Sequence, residues 1–190
     1  MIAKTKKARL ERPNICLILD NIRSVHNVGS IFRTAETLGI EKIYCVGTTP
    51  TPLDRFNRKR KDFAKVALGA EDILKWEHVG KAGNISDSSL KEATLLVKKL
   101  KKEKYKIVAL EQSSKAVDYK DVEIDGNNGS GNNKLDVIKC AIILGNEVDG
   151  VSPELLKLAD VTAEIPMLGK KESLNVSVAG AVFLFRLLDQ

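Results

Sequence analysis

Asn27, Gly29 and Arg33 lie within seven residues, shortly behind the apolar run "ICLIL" at 15–19. A guanidinium is a rigid fork of donors suited to an anionic or polarised oxygen, an amide both donates and accepts, and a glycine lets backbone approach closely. A second set follows "CAIIL" at 140–144: Gly145, Asn146 and Glu147, with Gly150 beyond. A third follows "VTAEI" at 161–165: Met167, Gly169, Ser173, Leu174 and Asn175. Each set alone reads as a turn, because Gly and Asn are turn residues. Their recurrence behind three separate runs is the trace that a site built from strand-end loops would leave.

Several other chemistries find no support. No G-x-G-x-x-G follows a strand-like run, and there is neither a Walker A sequence nor a G-x-S-x-G elbow. Cys16, Cys45 and Cys140 each lie in or beside an apolar run, without CxxC spacing or a neighbouring histidine. They read as small buried hydrophobes rather than as zinc ligands or a disulfide framework, and no metal is expected. His26 adjoins the first set and has a ring suited to proton transfer near neutral pH. His78, beside Trp76, reads as structural.

The elements that would position these residues are legible as a pattern. "ICLIL", "KIYCV" (42–46), "KIVAL" (106–110), "CAIIL" and "VTAEI" are of strand length and nearly continuous in hydrophobicity, as strands covered on both faces are. Helical spacing alternates with them. Val28, Ile31, Phe32, Ala35 and Leu38 follow i, i+3, i+4, i+7 up to a stop at Gly39, and "SPELLKLAD" offers Ser152 as N-cap with Pro153 and Glu154 in the first turn. This alternation predicts an α/β fold with a mainly parallel sheet flanked by helices, in which ligands bind beyond the carboxyl ends of the strands. A length of 190 residues suits one domain spanning 1–190, with a basic arm at 1–12 and a flexible Asn/Gly insert at 125–133.

Hydrophobic residues make up 43% and charged residues 29%, as in ordinary globular proteins, and no apolar stretch is long enough to span a bilayer. With no apolar segment behind the basic arm to make a secretory signal, a cytoplasmic location is expected. The net charge of +6 is gathered into clusters. Lys4, Lys6, Lys7, Arg9 and Arg12 form the arm. Arg55, Arg58, Lys59, Arg60 and Lys61, with Lys65, stand in a Pro-marked segment without clear periodicity, and are the candidate contacts to a polyanion. The lysines of "KKLKKEKYK", 98–106, read as the wet end of a helix whose apolar positions are Leu90, Ala93, Leu96, Val97 and Leu100.

The last helix, expected from about Asn175 to Leu188, is apolar on nearly every side: Val176, Val178, Val182, Phe183, Phe185, Leu187 and Leu188 leave little polar face before Arg186. Such a helix must be buried twice, and a second copy of the chain is the natural cover.

Taken together and in order, the three sets resemble the three motifs of the SpoU (TrmH) family of the SPOUT superfamily, RNA ribose 2′-O-methyltransferases. "NVGSIFR" is similar to the first motif, "ILGNEVDGVSPELLKLAD" to the second and "IPMLGKKESLNVSVAGAVFLFRL" to the third. The segment "KVALGAE" between the first two is also similar to the family. The resemblance implies a C-terminal deep trefoil knot, which the rarity of threaded chains would otherwise argue against. It implies transfer of a methyl group from S-adenosyl-L-methionine to a ribose 2′-hydroxyl of tRNA or rRNA, by a homodimer joined through the C-terminal helix region, with no membrane or metal involved. The cofactor would touch Leu144, Gly145, Ile165, Met167 and Leu174, with Asn146 and Ser173 nearby.

The same resemblance assigns the catalytic set. Arg33 matches the family's catalytic arginine. A guanidinium stays protonated, so gripping the ribose or phosphate suits it better than acting as a base. The plain alternative is a surface arginine paired with Glu36 or Thr37. Asn27 would fix loop or substrate, or else cap the helix. Glu147 would orient Arg33 or bind the nucleoside, or else pair with a lysine. Ser173 belongs to the third motif, and Asn175 would bond Glu147 or a cofactor-loop carbonyl, or else cap the last helix. The family pattern does not require His26. The short basic arm tilts the substrate toward tRNA. A non-catalytic RNA-binding protein of the same fold and a SPOUT enzyme methylating a base are the competing readings. The first is opposed by the joint presence of Asn27, Arg33, Glu147, Ser173 and Asn175, and the second by the "NVGSIFR" and "SLNVS" pair.

Overall fold

A computed structural model describes residues 14–80, 87–124 and 139–188. The basic arm and the Asn/Gly insert lie outside those residues. Seven strands, β1 (Asn14–Asp20), β2 (Lys42–Val46), β3 (Lys75–Val79), β4 (Lys106–Leu110), β5 (Val117–Asp118), β6 (Lys139–Leu144) and β7 (Val161–Glu164), form one sheet in the order β3-β2-β1-β6-β4-β7-β5. Every pairing is parallel. The helices are α1 (Val25–Leu38), α2 (Lys61–Ala67), α3 (Ala70–Ile73), α4 (Asp87–Lys102), α5 (Pro153–Leu156) and α6 (Val176–Leu188), with a 3₁₀ turn at Tyr119–Asp121. The strands expected from apolar runs are all present. β3 has no such run: its sequence "KWEHV" alternates exposed Lys75 and Glu77 with half-buried neighbours, as an edge strand does.

Alternation along each strand divides the interior in two. Ile15, Leu17 and Leu19 of β1 face a core shared with Phe32 of α1, Phe63 of α2 and Phe183 of α6. Cys16 and Ile18 face the opposite core, with Ala93, Val97 and Leu100 of α4 and Leu155 of α5. Both faces are covered, which is why the runs lack polar interruptions. The three cysteines are buried and unpaired, and burial pushes their thiols well above the ordinary range. Lysines of the 98–106 cluster sit at the amino edge of the sheet. Lys101 there is fixed by Asp160 at 2.6 Å, and Asp160 also accepts from Ile107 N of β4. Among the described residues no helix is long and apolar enough to cross a membrane.

The strand register lines up the loops that carry the three residue sets. Leu19 pairs with Leu144, Leu144 with Leu110, and Leu110 with Ala163, so β1, β6, β4 and β7 end in a row. The chain order reverses between β1 and β6, and in a parallel sheet the crevice outside such a reversal is the place for a ligand.

Candidate active site

The carboxyl end of β1 is a hub. Asp20, fully buried, accepts from Ser152 N at 2.7 Å through one oxygen and from Asn21 Nδ2 at 2.9 Å through the other. Asn21 takes the left-handed conformation at φ 53°. Its backbone carbonyl accepts from Asn146 Nδ2 at 2.6 Å, and its side-chain oxygen from Thr48 N at 3.1 Å. The loops after β1, β2 and β6 are thereby tied together. The β6 loop is closed on itself by Asn146, whose Oδ1 accepts from Val148 N and Asp149 N. Gly145 is required there, because a Cβ on it would lie 2.3 Å from both Gly150 C and Val151 N.

The tip of that loop delivers Glu147 to the start of α1. Its carboxylate accepts from Arg23 N (2.9 Å), Ser24 N (3.1 Å) and Asn27 Nδ2 (2.8 Å). An acid at a helix N-terminus is well placed for the helix dipole. Partial burial pushes this carboxyl up, but the Arg23 and Ser24 amides and the Asn27 side chain outweigh it and hold it below its ordinary value. Asn27 in turn accepts from Asn175 Nδ2 at 2.9 Å. One side chain from each of the three sets thus forms a single chain of hydrogen bonds, Asn175 to Asn27 to Glu147.

Beside it lies a cavity of about 560 Å³. Leu144, Gly145, Asn146 and Glu147 border it from the β6 loop. Ile165, Met167, Ser173, Leu174 and Asn175 border it from the segment between β7 and α6, and Leu110, Glu111 and Gln112 from the end of β4. Glu111 accepts from Val151 N at 2.8 Å and from Gln112 N at 2.9 Å, bracing the β6 loop from the other side.

The SpoU rRNA methylase family matches residues 14–185. The chain belongs to that family. The tRNA (guanosine(18)-2′-O)-methyltransferase of Escherichia coli K12 is 28% identical over 179 residues, 94% of this chain and 65% of that protein. The chain therefore spans just under two thirds of that relative's length. Among solved structures, the A. aeolicus TrmH/SpoU tRNA modifying enzyme has a TM-score of 0.71 at 24% identity, covering 94% of this chain and 75% of that one. The SpoU methyltransferase AviRb of Streptomyces viridochromogenes, solved in complex with AdoMet, has a TM-score of 0.69 at 21% identity, covering 94% and 61%. At these identities the two structures establish the fold.

The SpoU motif residues fall into place unevenly. All seven candidate cofactor residues border the cavity, but the side chain of Asn146 is spent on its own loop and on Asn21. Asn27 is not the cap of α1. Ser24 is, accepting from Asn27 N at 3.3 Å, and Asn27 stands three residues in with its amide free for Glu147. Glu147 meets Arg23, Ser24 and Asn27, and among the described residues neither Arg33 nor a lysine. Asn175 reaches Glu147 only through Asn27, and its Oδ1 does cap α6 by accepting from Ser177 N. Gly29 does not bare backbone to a ligand: a Cβ there would lie 3.0 Å from Val66 Cβ, so it serves the packing of α1 on α2. His78 bonds the Gly47 carbonyl at 2.9 Å, as a structural histidine.

Arg33 stands apart. It is exposed, Thr37 bonds its backbone carbonyl rather than its guanidinium, and the guanidinium has no partner among the described residues. It follows Asn27 by six positions, roughly 120° around the helix and about 9 Å along it. The basic cluster is largely neutralised: Arg58 pairs with Asp54, Lys59 with Asp72 and Arg60 with Asp62. Lys61 is not in the loop but opens α2. The pair missed by sequence reasoning is Glu111 and Gln112. They follow "KIVAL", a fourth strand end to which the same rule applied.

Proposed function

We propose that the chain transfers a methyl group from S-adenosylmethionine to a ribose 2′-hydroxyl of RNA, with tRNA or rRNA as the substrate class. The observation that carries this reading is the Asn175–Asn27–Glu147 chain beside the cavity, which engages all three SpoU motifs at once. The cavity suits that cofactor in size and lining. Apolar Leu110, Leu144, Ile165, Met167 and Leu174 offer surface to an adenine ring, and the tight turn that Gly145 permits leaves loop backbone for its polar edges. The names of the E. coli relative and of the AdoMet complex support the same reading.

S-adenosylmethionine supplies a methyl group made electrophilic by its sulfonium. The chain supplies position and charge. Arg33 grips the ribose or its neighbouring phosphate and favours negative charge on the 2′-oxygen, a role open to a group that stays protonated. Asn27, Glu147 and Asn175 hold the three loops in one arrangement, so that nucleophile and cavity keep their alignment, and Ser173 borders the cavity. The family's deep trefoil knot is part of this reading, with the β6 loop and the segment between β7 and α6 both bordering the cavity.

Arg33 points away from its own chain's Asn27, so the reading includes a homodimer in which Arg33 of one protomer works at the cavity of the other. Support comes from α6. It buries Gly180, Phe183, Leu184 and Leu187 against the sheet and exposes Val178, Val182 and Phe185 along the outer side. Those three stand at i, i+4 and i+7, one apolar stripe.

Titration calorimetry with S-adenosylmethionine, and with S-adenosylhomocysteine as product, tests the reading. Micromolar binding at about one ligand per chain or per dimer supports it. No binding, with or without bulk RNA, overturns it.

A further inference from the structure

Between β2 and α2 the chain builds a small locked turn around Asp54. Asp54 N donates to Arg58 O at 2.9 Å, and Asn57 N donates to Asp54 O at 2.9 Å. One carboxylate oxygen accepts from Phe56 N (2.8 Å) and Arg58 N (3.0 Å), the other from Arg58 Nε (2.8 Å). Leu53 and Lys59 close the base as an antiparallel bridge, and Asn57 takes the left-handed conformation at φ 59°. The backbone N–H and guanidinium of Arg58 hold the Asp54 carboxyl down to about 2, so the turn stays locked across the physiological range.

The turn presents a ring to solvent. Phe56 is 61% exposed, and the guanidinium carbons of Arg55 and Arg58 lie 4.8 and 5.0 Å from its centroid. Arg58 is neutralised by Asp54, whereas Arg55 has no acidic partner among the described residues. Here the turn from Leu53 to Lys59 holds an exposed aromatic ring with two guanidinium groups against it, of which that of Arg58 is also tied to a carboxylate.

We infer that Phe56 is a stacking platform for an unpaired base of the bound RNA, with Arg55, which no carboxylate among the described residues holds, leaving the ring to take the adjoining phosphate. Stacking on an aromatic side chain and cation contact to the backbone are the means by which single-stranded RNA is held without regard to base identity. The inference rests on the reading that RNA is the substrate. Its place in the fold agrees. The base of the loop is tied to Asn21 through Thr48, and Asn21 carries Asn146 of the cavity loop. At the far end the loop runs into α2, whose Phe63 meets Phe32 edge-to-face at 5.0 Å and whose Val66 covers Gly29. Gly29 is one turn before Arg33 on the same face of α1. The platform therefore projects from elements that frame Arg33, and holds a nucleotide flanking the one to be modified.

The test compares wild type, Phe56→Ala, Phe56→Trp and Arg55→Ala for binding to unfractionated tRNA and to a fully paired RNA duplex, with S-adenosylhomocysteine present. Loss of one stacked base predicts roughly a 10- to 100-fold weaker tRNA affinity for Phe56→Ala. Duplex affinity should be unchanged and Phe56→Trp should recover tRNA binding. Arg55→Ala should weaken both RNAs and lower the salt dependence by about one counterion. Melting curves and S-adenosylhomocysteine titration establish that the variants are folded. Wild-type tRNA affinity in Phe56→Ala, or an equal loss toward the duplex, overturns the inference, as does a wild-type protein that binds neither RNA. If tRNA binds through Phe56 but no RNA is methylated, the inference holds and the proposed function fails.

Discussion

Asn27 donates to Glu147 at 2.8 Å and accepts from Asn175 at 2.9 Å, so one amide joins residues 120 and 148 positions away in the chain. Its two ends cannot be exchanged without facing a donor with a donor and an acceptor with an acceptor. Asn27→Ala removes both bonds and should cost about 1–2 kcal/mol of stability. Asn27→Asp should cost more at pH 7, because a second carboxylate then faces Glu147. Thermal melts at pH 7 and pH 4 check this: the excess cost of Asp over Ala should shrink at the lower pH, where the carboxylates take up protons.

Glu147 itself carries a pH signature. Its carboxyl is held below its ordinary value, so its contribution is complete above the unfolded glutamate value of about 4.3 and is lost as pH falls through the lower folded value. Glu147→Gln should therefore lower Tm at neutral pH, with the gap to wild type narrowing on acidification below about pH 4. A gap that stays constant down to about pH 3 would contradict the role given to the charge.

Gly145→Ala tests the cavity loop. The added methyl would meet backbone of Gly150 and Val151, not a side chain that can turn aside. Overpacking of this kind costs about 1–3 kcal/mol. Both Tm and S-adenosylmethionine affinity should fall, measured by melting and calorimetry on the same sample.

The exposed stripe of α6 predicts assembly. Val182→Glu or Phe185→Glu puts a charge into the face proposed to meet a second copy, and sedimentation should show monomers where wild type is dimeric. The single chain should keep its fold, since neither residue is buried in it.

Much of this is readable in the sequence, for physical reasons. Strands covered on both faces leave unbroken apolar runs, so "ICLIL" and "CAIIL" show themselves, and the strand-end rule leads from them to Asn27 and Glu147. What stays hidden depends on partners distant in the chain. Gly29 resembles a ligand-binding glycine until Val66 is seen against it. Asn175 is expected to bond Glu147 or a cofactor-loop carbonyl, and only the folded chain inserts Asn27 between Asn175 and Glu147. The cations at 55–61 promise a charged surface, but Asp54, Asp62 and Asp72 take most of that charge and leave Phe56 as the exposed feature. β3 lacks a strong apolar signature and the Glu111–Gln112 strand end has an ordinary composition, so both leave little trace.

Ribose methylation dependent on Arg33 can be measured directly in one assay. Unmodified bulk tRNA and rRNA are incubated with methyl-labelled S-adenosylmethionine and either wild type or Arg33→Ala, then hydrolysed in alkali. A methyl on the 2′-oxygen blocks cleavage at that nucleotide, so label should appear in alkali-resistant dinucleotides. Arg33→Ala should reduce the rate about 100- to 1,000-fold while binding S-adenosylmethionine as wild type does. Label released wholly as mononucleotides, or a variant as active as wild type, would contradict the proposed function.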